Sequence, residues 1–169
     1  MRKLDISDAQ DVFDYASDPK VSKYLTWDRH KSIDESIEYI RKALDRYEKD
    51  EAGEWAVILR DINKMIGAIG FVQLDPHNFC GTIGYVIGSK YWGKGLMTEA
   101  VRKLIDFAFS EMGLNRIEAY HAIDNEASGR VMQKAGMSFE GVLRQKMFAK
   151  EKFWDVREYA VIKDDWGRV

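Results

Sequence analysis

The chain has 169 residues, 46% of them hydrophobic and 32% charged, and its 26 Lys+Arg against 28 Asp+Glu leave a formal charge of −2. That length suits one domain over residues 1–169 with a real core, and the near-balanced charge argues against a dedicated nucleic-acid binder, whose basic face would dominate. A single cysteine, Cys80, supplies neither an internal disulfide nor a metal cluster. With no leader pattern and no run of about 18 apolar residues, the chain reads as soluble and cytoplasmic, without a membrane partner.

In chain order, Ser7 or Asp8 is placed to cap a short helix carrying Val12, Phe13 and Ala16, and Asp18-Pro19 restarts the chain with proline near a first helical position. Ser32 and Glu35 have capping-box spacing, and Ile33, Ile37, Ile40, Leu44 and Tyr47 follow at steps of three and four, which predicts an amphipathic helix over about 32–50. Alternation from Trp55 to Leu59, the turn Asp61-Ile62-Asn63-Lys64 and the run Met65 to Leu74 predict an antiparallel hairpin. A strand over about Thr82–Ile87 leads to a helix over about Leu96–Met112, with Gly113 as its C′ residue. Arg116–Ile123 reads as a strand and Asn125–Ala135 as a helix capped by Asn125 and ended by Gly136. Strand, helix, strand, helix implies a parallel pair. Two more β-rich runs, about Phe139–Phe148 and Phe153–Lys163, flank a hairpin-like break at Lys150-Glu151. The expectation is a mixed-sheet α/β fold.

The most informative segment is Tyr91-Trp92-Gly93-Lys94-Gly95-Leu96-Met97-Thr98. A strand feeding a Gly-x-Gly turn that opens a helix gathers free N–H groups and the positive helix end in one place, which suits phosphate. An ordinary strand-to-helix turn would look the same. Gly88 to Lys94 satisfies G-x-x-x-x-G-K, but Gly95 stands where a P-loop needs a hydroxyl for Mg²⁺. Thr98 likewise replaces the third small residue of a dinucleotide fingerprint. Nucleotide binding therefore ranks low.

Lys90 to Ala100 resembles the acyl-CoA pyrophosphate loop of the GNAT N-acetyltransferase superfamily, with Lys90 in place of the usual Gln or Arg. Asn125 to Met137 resembles the second signature of that family, with Met137 in place of Phe. The likeness extends to Asp18-Pro19, Trp27, the Gly67 strand, Ile83-Gly84-Tyr85 and Asp165-Trp166, and its layout is similar to the branch of ribosomal-protein N-terminal (alanine/serine) acetyltransferases. The resemblance implies a GNAT-like fold: a mostly antiparallel sheet with a splayed parallel pair in the middle and helices on both faces. It also implies transfer of an acetyl group from acetyl-CoA to a primary amine by direct attack in a ternary complex, with no metal. The acceptor stays open among a protein or peptide N-terminus, a polyamine, an amino acid and an antibiotic amine, and a homodimer is admissible.

By that resemblance, Tyr85, Val86 and Ile87 line the pantetheine arm and the acetyl carbonyl, and Trp92, Gly93, Lys94, Gly95, Leu96, Met97 and Thr98 wrap the pyrophosphate. Asn125 becomes a pantetheine or sulfur-side contact and Ser128 the candidate general acid, both one turn apart at a helix start. Ser128 as a helix-start hydroxyl satisfying backbone donors is the alternative. An acidic residue precedes Ile-Gly-Tyr in many relatives, whereas here Thr82 does, so no single base is assigned; Asp75 and His77 are candidates, and so is a plain turn. His30 and His121 lack metal-ligand spacing, Cys80 reads as inert, and Trp27, Tyr24 and Trp154 serve either as acceptor-pocket walls or as core. The rival to an enzyme is an acyl-CoA-binding or regulatory module without turnover, motivated by Thr82.

Overall fold

Ahead of the first strand, the computed structural model, which describes residues 1–49, 51 and 53–167, has three helices: α1 (Ala9–Ala16), α2 (Pro19–Ser22) and α3 (Ile33–Glu48). The caps differ from expectation for tertiary reasons. Asp5 caps a 3₁₀ turn at Ile6–Asp8, while Asp8, at the N-cap of α1, makes no cap bond there. Its buried carboxylate instead takes a bidentate pair from Arg2, at 2.6 and 2.7 Å. Ser32 precedes α3 without a side-chain cap, and Glu35 accepts the Lys31 N–H at 3.0 Å, one residue upstream of the predicted box. Residue 50, the predicted end of this helix, lies outside the described residues. Asp18 does cap α2, accepting the Lys20 N–H at 2.9 Å.

The strands are β1 (Glu54–Leu59), β2 (Lys64–Asp75), β3 (Cys80–Ile87), β4 (Arg116–Ala122), β5 (Ser138–Ala149) and β6 (Lys152–Ile162), in sheet order β1-β2-β3-β4-β6-β5. The pairs β1/β2, β4/β6 and β5/β6 are antiparallel and β3/β4 is parallel, as expected for a mixed sheet with one parallel pair. The parallel register runs only from Cys80↔Arg116 to Thr82↔Glu118. Between β3 and β5 lie α4 (Leu96–Ser110), before β4, and α5 (Glu126–Ala135), after it.

The chain divides into two compact units. The first, Met1–Gly70 with Tyr85–Lys94, gathers Leu4, Val12, Tyr15, Ile40 and Met65 into a core on which Trp27, Tyr39, Tyr47 and Val86 pack. Lys64 ties the β1/β2 turn to α1 through Asp11 and Asp14, at 2.9 and 2.8 Å. The second unit, Phe71–Gly84 with Gly95–Val169, buries Met97, Val101, Leu104, Ile105 and Ala108 of α4 and Met132 and Ala135 of α5. α4 stops at Ser110, earlier than Gly113 implied, with Glu111 as its C-cap; Gly113 is left-handed (φ +68°) in the following turn, where the Leu114 N–H returns to the Ala108 carbonyl at 3.0 Å.

Candidate active site

β3 carries Tyr85, Val86 and Ile87, all half-buried, to Gly88, whose N–H donates to the Ile66 carbonyl at 2.9 Å. Gly67 has no side chain for a reason: a Cβ there would meet the Val86 carbonyl oxygen and the Ile87 Cα. The backbones of β2 and β3 are thus pressed together beside the last residues of β3. The role of this glycine was not apparent beforehand, although a glycine inside an apolar strand is the usual mark of close backbone approach.

Beyond Gly88 one 3₁₀ turn, Ser89–Tyr91, is held by the Ser89 hydroxyl donating to Asp18 Oδ2 at 2.5 Å. The exposed Trp92 folds back so that its indole N–H donates to the Ile87 carbonyl at 2.9 Å. Lys94 places its ammonium 5.7 Å from the centroid of the Tyr91 ring. Gly93 and Gly95 are both left-handed, at φ +75° and +76°, and a Cβ on either would meet nothing within 4 Å. Gly95 is the N-cap of α4 and brings no side-chain cap, and its carbonyl takes the first helical bond from the Glu99 N–H at 3.0 Å. The Leu96, Met97 and Thr98 N–H groups are the orphan donors of an α-helix start. They sit at the positive end of a 15-residue helix behind a turn whose two glycines leave open space.

Asn125 is the N-cap residue of α5, but by backbone alone. Its carbonyl accepts the Ser128 N–H at 3.1 Å, and its side chain makes no cap bond, which corrects the expected amide cap. Ser128, half-buried, is the third residue of α5, one turn along.

The base candidates thin out. Asp75 accepts the Asn78 N–H at 3.0 Å and the Asn78 side-chain amide at 2.8 Å, bonds that hold its carboxyl below the usual range. His77 lies in the same turn. Thr82 sits mid-strand opposite Glu118, and that carboxylate accepts from Arg116 at 2.6 Å. Burial, reinforced by Glu118, pushes the Cys80 thiol up, away from a nucleophilic thiolate. Among the described residues no group of three or more His, Cys, Asp or Glu could hold a metal, and no helix is long and apolar enough to cross a membrane.

Burial lowers both His30 and His121 from their ordinary value of 6.5, with Arg157 adding to the effect at His121 and Glu35 opposing it at His30. His30 pairs its Nδ1 with the Ser36 hydroxyl at 2.8 Å, between the Trp27 and Tyr39 rings. Burial disfavours the charged form of both histidines in the fold, while the unfolded chain takes up their protons near pH 6.5. Stability from this source is therefore complete above about pH 6.5 and is lost as pH falls toward the depressed folded values. The melting temperature should drop as pH falls below about 6.5, before the carboxylates begin to titrate. His121→Asn should lessen that drop, leaving the share of His30; a flat profile for the unaltered protein would contradict the assignment.

A family model described as an acetyltransferase (GNAT) domain matches residues 1–138. The uncharacterized N-acetyltransferase p20 of Bacillus licheniformis is 32% identical over 167 residues, 99% of this chain and 94% of its own length. A ribosomal-protein-serine acetyltransferase of Escherichia coli (strain K12) is 31% identical over 102 residues, 60% of this chain and 57% of that protein. The crystal structure of a GNAT-family acetyltransferase from Bacillus anthracis superposes with a TM-score of 0.85 at 29% identity, over 96% of this chain and 93% of that one.

Proposed function

This chain belongs to the GNAT family of acetyl-CoA-dependent N-acetyltransferases, and from that premise we propose how its residues divide the work and which acceptor they serve. The supporting observation is the turn at Gly93 and Gly95: two left-handed glycines with open space above them, leading into a helix start that no side chain caps. Backbone N–H groups of Leu96, Met97 and Thr98 bind the pyrophosphate, and Gly93 and Gly95 keep side chains out of its way. Lys94 adds positive charge, and Trp92 braces the end of β3 through the Ile87 carbonyl.

Upstream, Tyr85, Val86 and Ile87 flank the pantetheine arm, and an N–H at Val86 or Ile87 polarises the thioester carbonyl. The Asn125 amide, not engaged in capping, contacts the sulfur end of the arm. The amine nitrogen attacks the acetyl carbon, the carbon–sulfur bond breaks, and the Ser128 hydroxyl gives its proton to the departing thiolate while taking one back from water. The proton lost by the amine leaves through water. The acceptor we favour is the α-amine of a protein or peptide, in keeping with the ribosomal-protein relative, in a single-domain cytoplasmic enzyme. Polyamines, amino acids and antibiotic amines are the competing acceptors. A screen of short peptides and these amines with acetyl-CoA, read by release of free CoA, tests this; turnover confined to small amines would exclude the peptide acceptor.

With Asp75 engaged by Asn78 and Thr82 unable to take a proton, turnover should follow the free-amine fraction of the acceptor. For a peptide N-terminus the rate should rise with pH and level off near pH 8, and for an alkyl amine only near 10. Asp75→Asn and His77→Ala should leave the profile in place. A plateau at about pH 6–7 would instead reveal a tuned protein base.

A further inference from the structure

We infer that His121, outside the signature motifs, is a positioning residue that sets the height and entry angle of α5 and thereby the placement of Asn125 and Ser128; the inference rests on the roles proposed above for those two residues. The ring is 4% exposed on β4. Its Nδ1 lies 2.8 Å from the Ala122 carbonyl, which can only accept, so Nδ1 carries the proton. The same carbonyl accepts the Asn125 N–H, also at 2.8 Å. One oxygen thus receives both the imidazole and the first amide of the turn that presents Asn125.

The opposite edge of the ring meets the helix. Nε2 is buried with no hydrogen-bond partner, and a Cβ built on Gly129 would lie 2.6 Å from it and 3.1 Å from Cε1. Glycine inside a ten-residue helix is unfavourable relative to alanine, so the close approach is a physical reason for its presence. The ring cannot swing aside, because it stacks on Tyr159 at 5.7 Å and 27° while Nδ1 is bonded to Ala122. Tyr159 in turn receives the Gln133 side-chain amide of α5 at 3.3 Å. Beside these contacts is a cavity of ≈ 180 Å³, lined by Glu126, Gly129 and Gln133 of the helix and by His121, Arg157 and Tyr159 of the strands. Met132 and Ala135 seat α5 in the core, and on this flank the imidazole contact and the Tyr159–Gln133 bond are what meet it.

The test is a cycle of His121→Leu, His121→Asn, Gly129→Ala and the double variant His121→Asn/Gly129→Ala. It is read by kcat, acetyl-CoA affinity, melting temperature and hydrogen exchange at the Asn125 amide. His121→Leu keeps bulk but loses the donor. It should speed exchange at Asn125 and lower kcat by about 10²-fold, the order expected when reacting groups are displaced by about 1 Å. Asn can offer its amide where Nδ1 stood while withdrawing the edge that Gly129 touches, so His121→Asn should keep kcat within a few-fold. Gly129→Ala should lower kcat in the original background. In the Asn background it should raise the melting temperature, because the clash is gone and the helix preference for alanine remains. Wild-type kcat in folded His121→Leu and Gly129→Ala proteins, or equal effects of Gly129→Ala in both backgrounds, would overturn the inference. Ser128→Ala measured alongside separates the two levels: full activity there defeats the acid role, while exchange at Asn125 still reports whether His121 holds the turn.

Discussion

Gly95→Val should raise the acetyl-CoA dissociation constant by about 10²-fold while the protein still folds. A valine Cβ at this position meets no protein atom within 4 Å, so the penalty is conformational. At φ +76° an ordinary L-residue loses about 1–2 kcal/mol and a β-branched one more. The turn relaxes away from the left-handed angle and turns N–H groups off the diphosphate, each charge-assisted bond being worth about 1.5–3 kcal/mol. Strain and one lost bond together reach about two powers of ten, at roughly 1.4 kcal/mol each. Gly113→Val is the matched control, since Gly113 is also left-handed with open space around it but lies beyond the other end of α4. Titration of CoA into both variants, with a melting curve for each, decides the matter. Unchanged affinity in Gly95→Val would remove the turn from the binding site.

Ser128→Ala should lower kcat by about 10²–10⁴-fold with acetyl-CoA binding nearly unchanged, the pattern of a group that acts on the leaving thiolate in the transition state. A capping hydroxyl would behave otherwise, costing about 1 kcal/mol of stability and leaving the rate alone. Ser128 is the third residue of α5 and the N-cap position belongs to Asn125, so the two measurements on this variant decide between the roles. Full activity with a lowered melting point would end the catalytic assignment.

The glycine turn and the order of elements were legible before any coordinates because both are local. Steps of three and four mark α3, Asn125 and Gly136 bound α5, and a strand–helix–strand succession leaves a parallel pair as the economical connection. The caps were less legible, since a carboxylate or amide near a helix start has competitors elsewhere in the chain. Arg2 draws Asp8 away from α1, and Glu35 finds the Lys31 amide instead of that of Ser32. The hairpin-like break at Lys150-Glu151 is the β5/β6 turn, but its backbone was not legible, because both residues are left-handed, at φ 53° and 59°, without being glycine. His121 carried no sequence signal beyond its lack of ligand spacing. What makes it informative is Gly129, eight positions later on another element, and that closeness exists only in the fold.

The register of β4 has a consequence for biosynthesis. One edge of β4 meets β3, which precedes it, but the other pairs with β6 from Arg116↔Ile162 to Ala122↔Val156, so its partner is translated only after α5 and β5. Until β6 emerges and inserts between β4 and β5, the strand Arg116–Ala122 offers an open row of backbone groups to any neighbouring chain. A polypeptide stalled or cut before Lys152 would keep the glycine turn yet lack the strand that closes this edge. In the cell, such a fragment is a substrate for chaperones and proteases rather than a weaker enzyme.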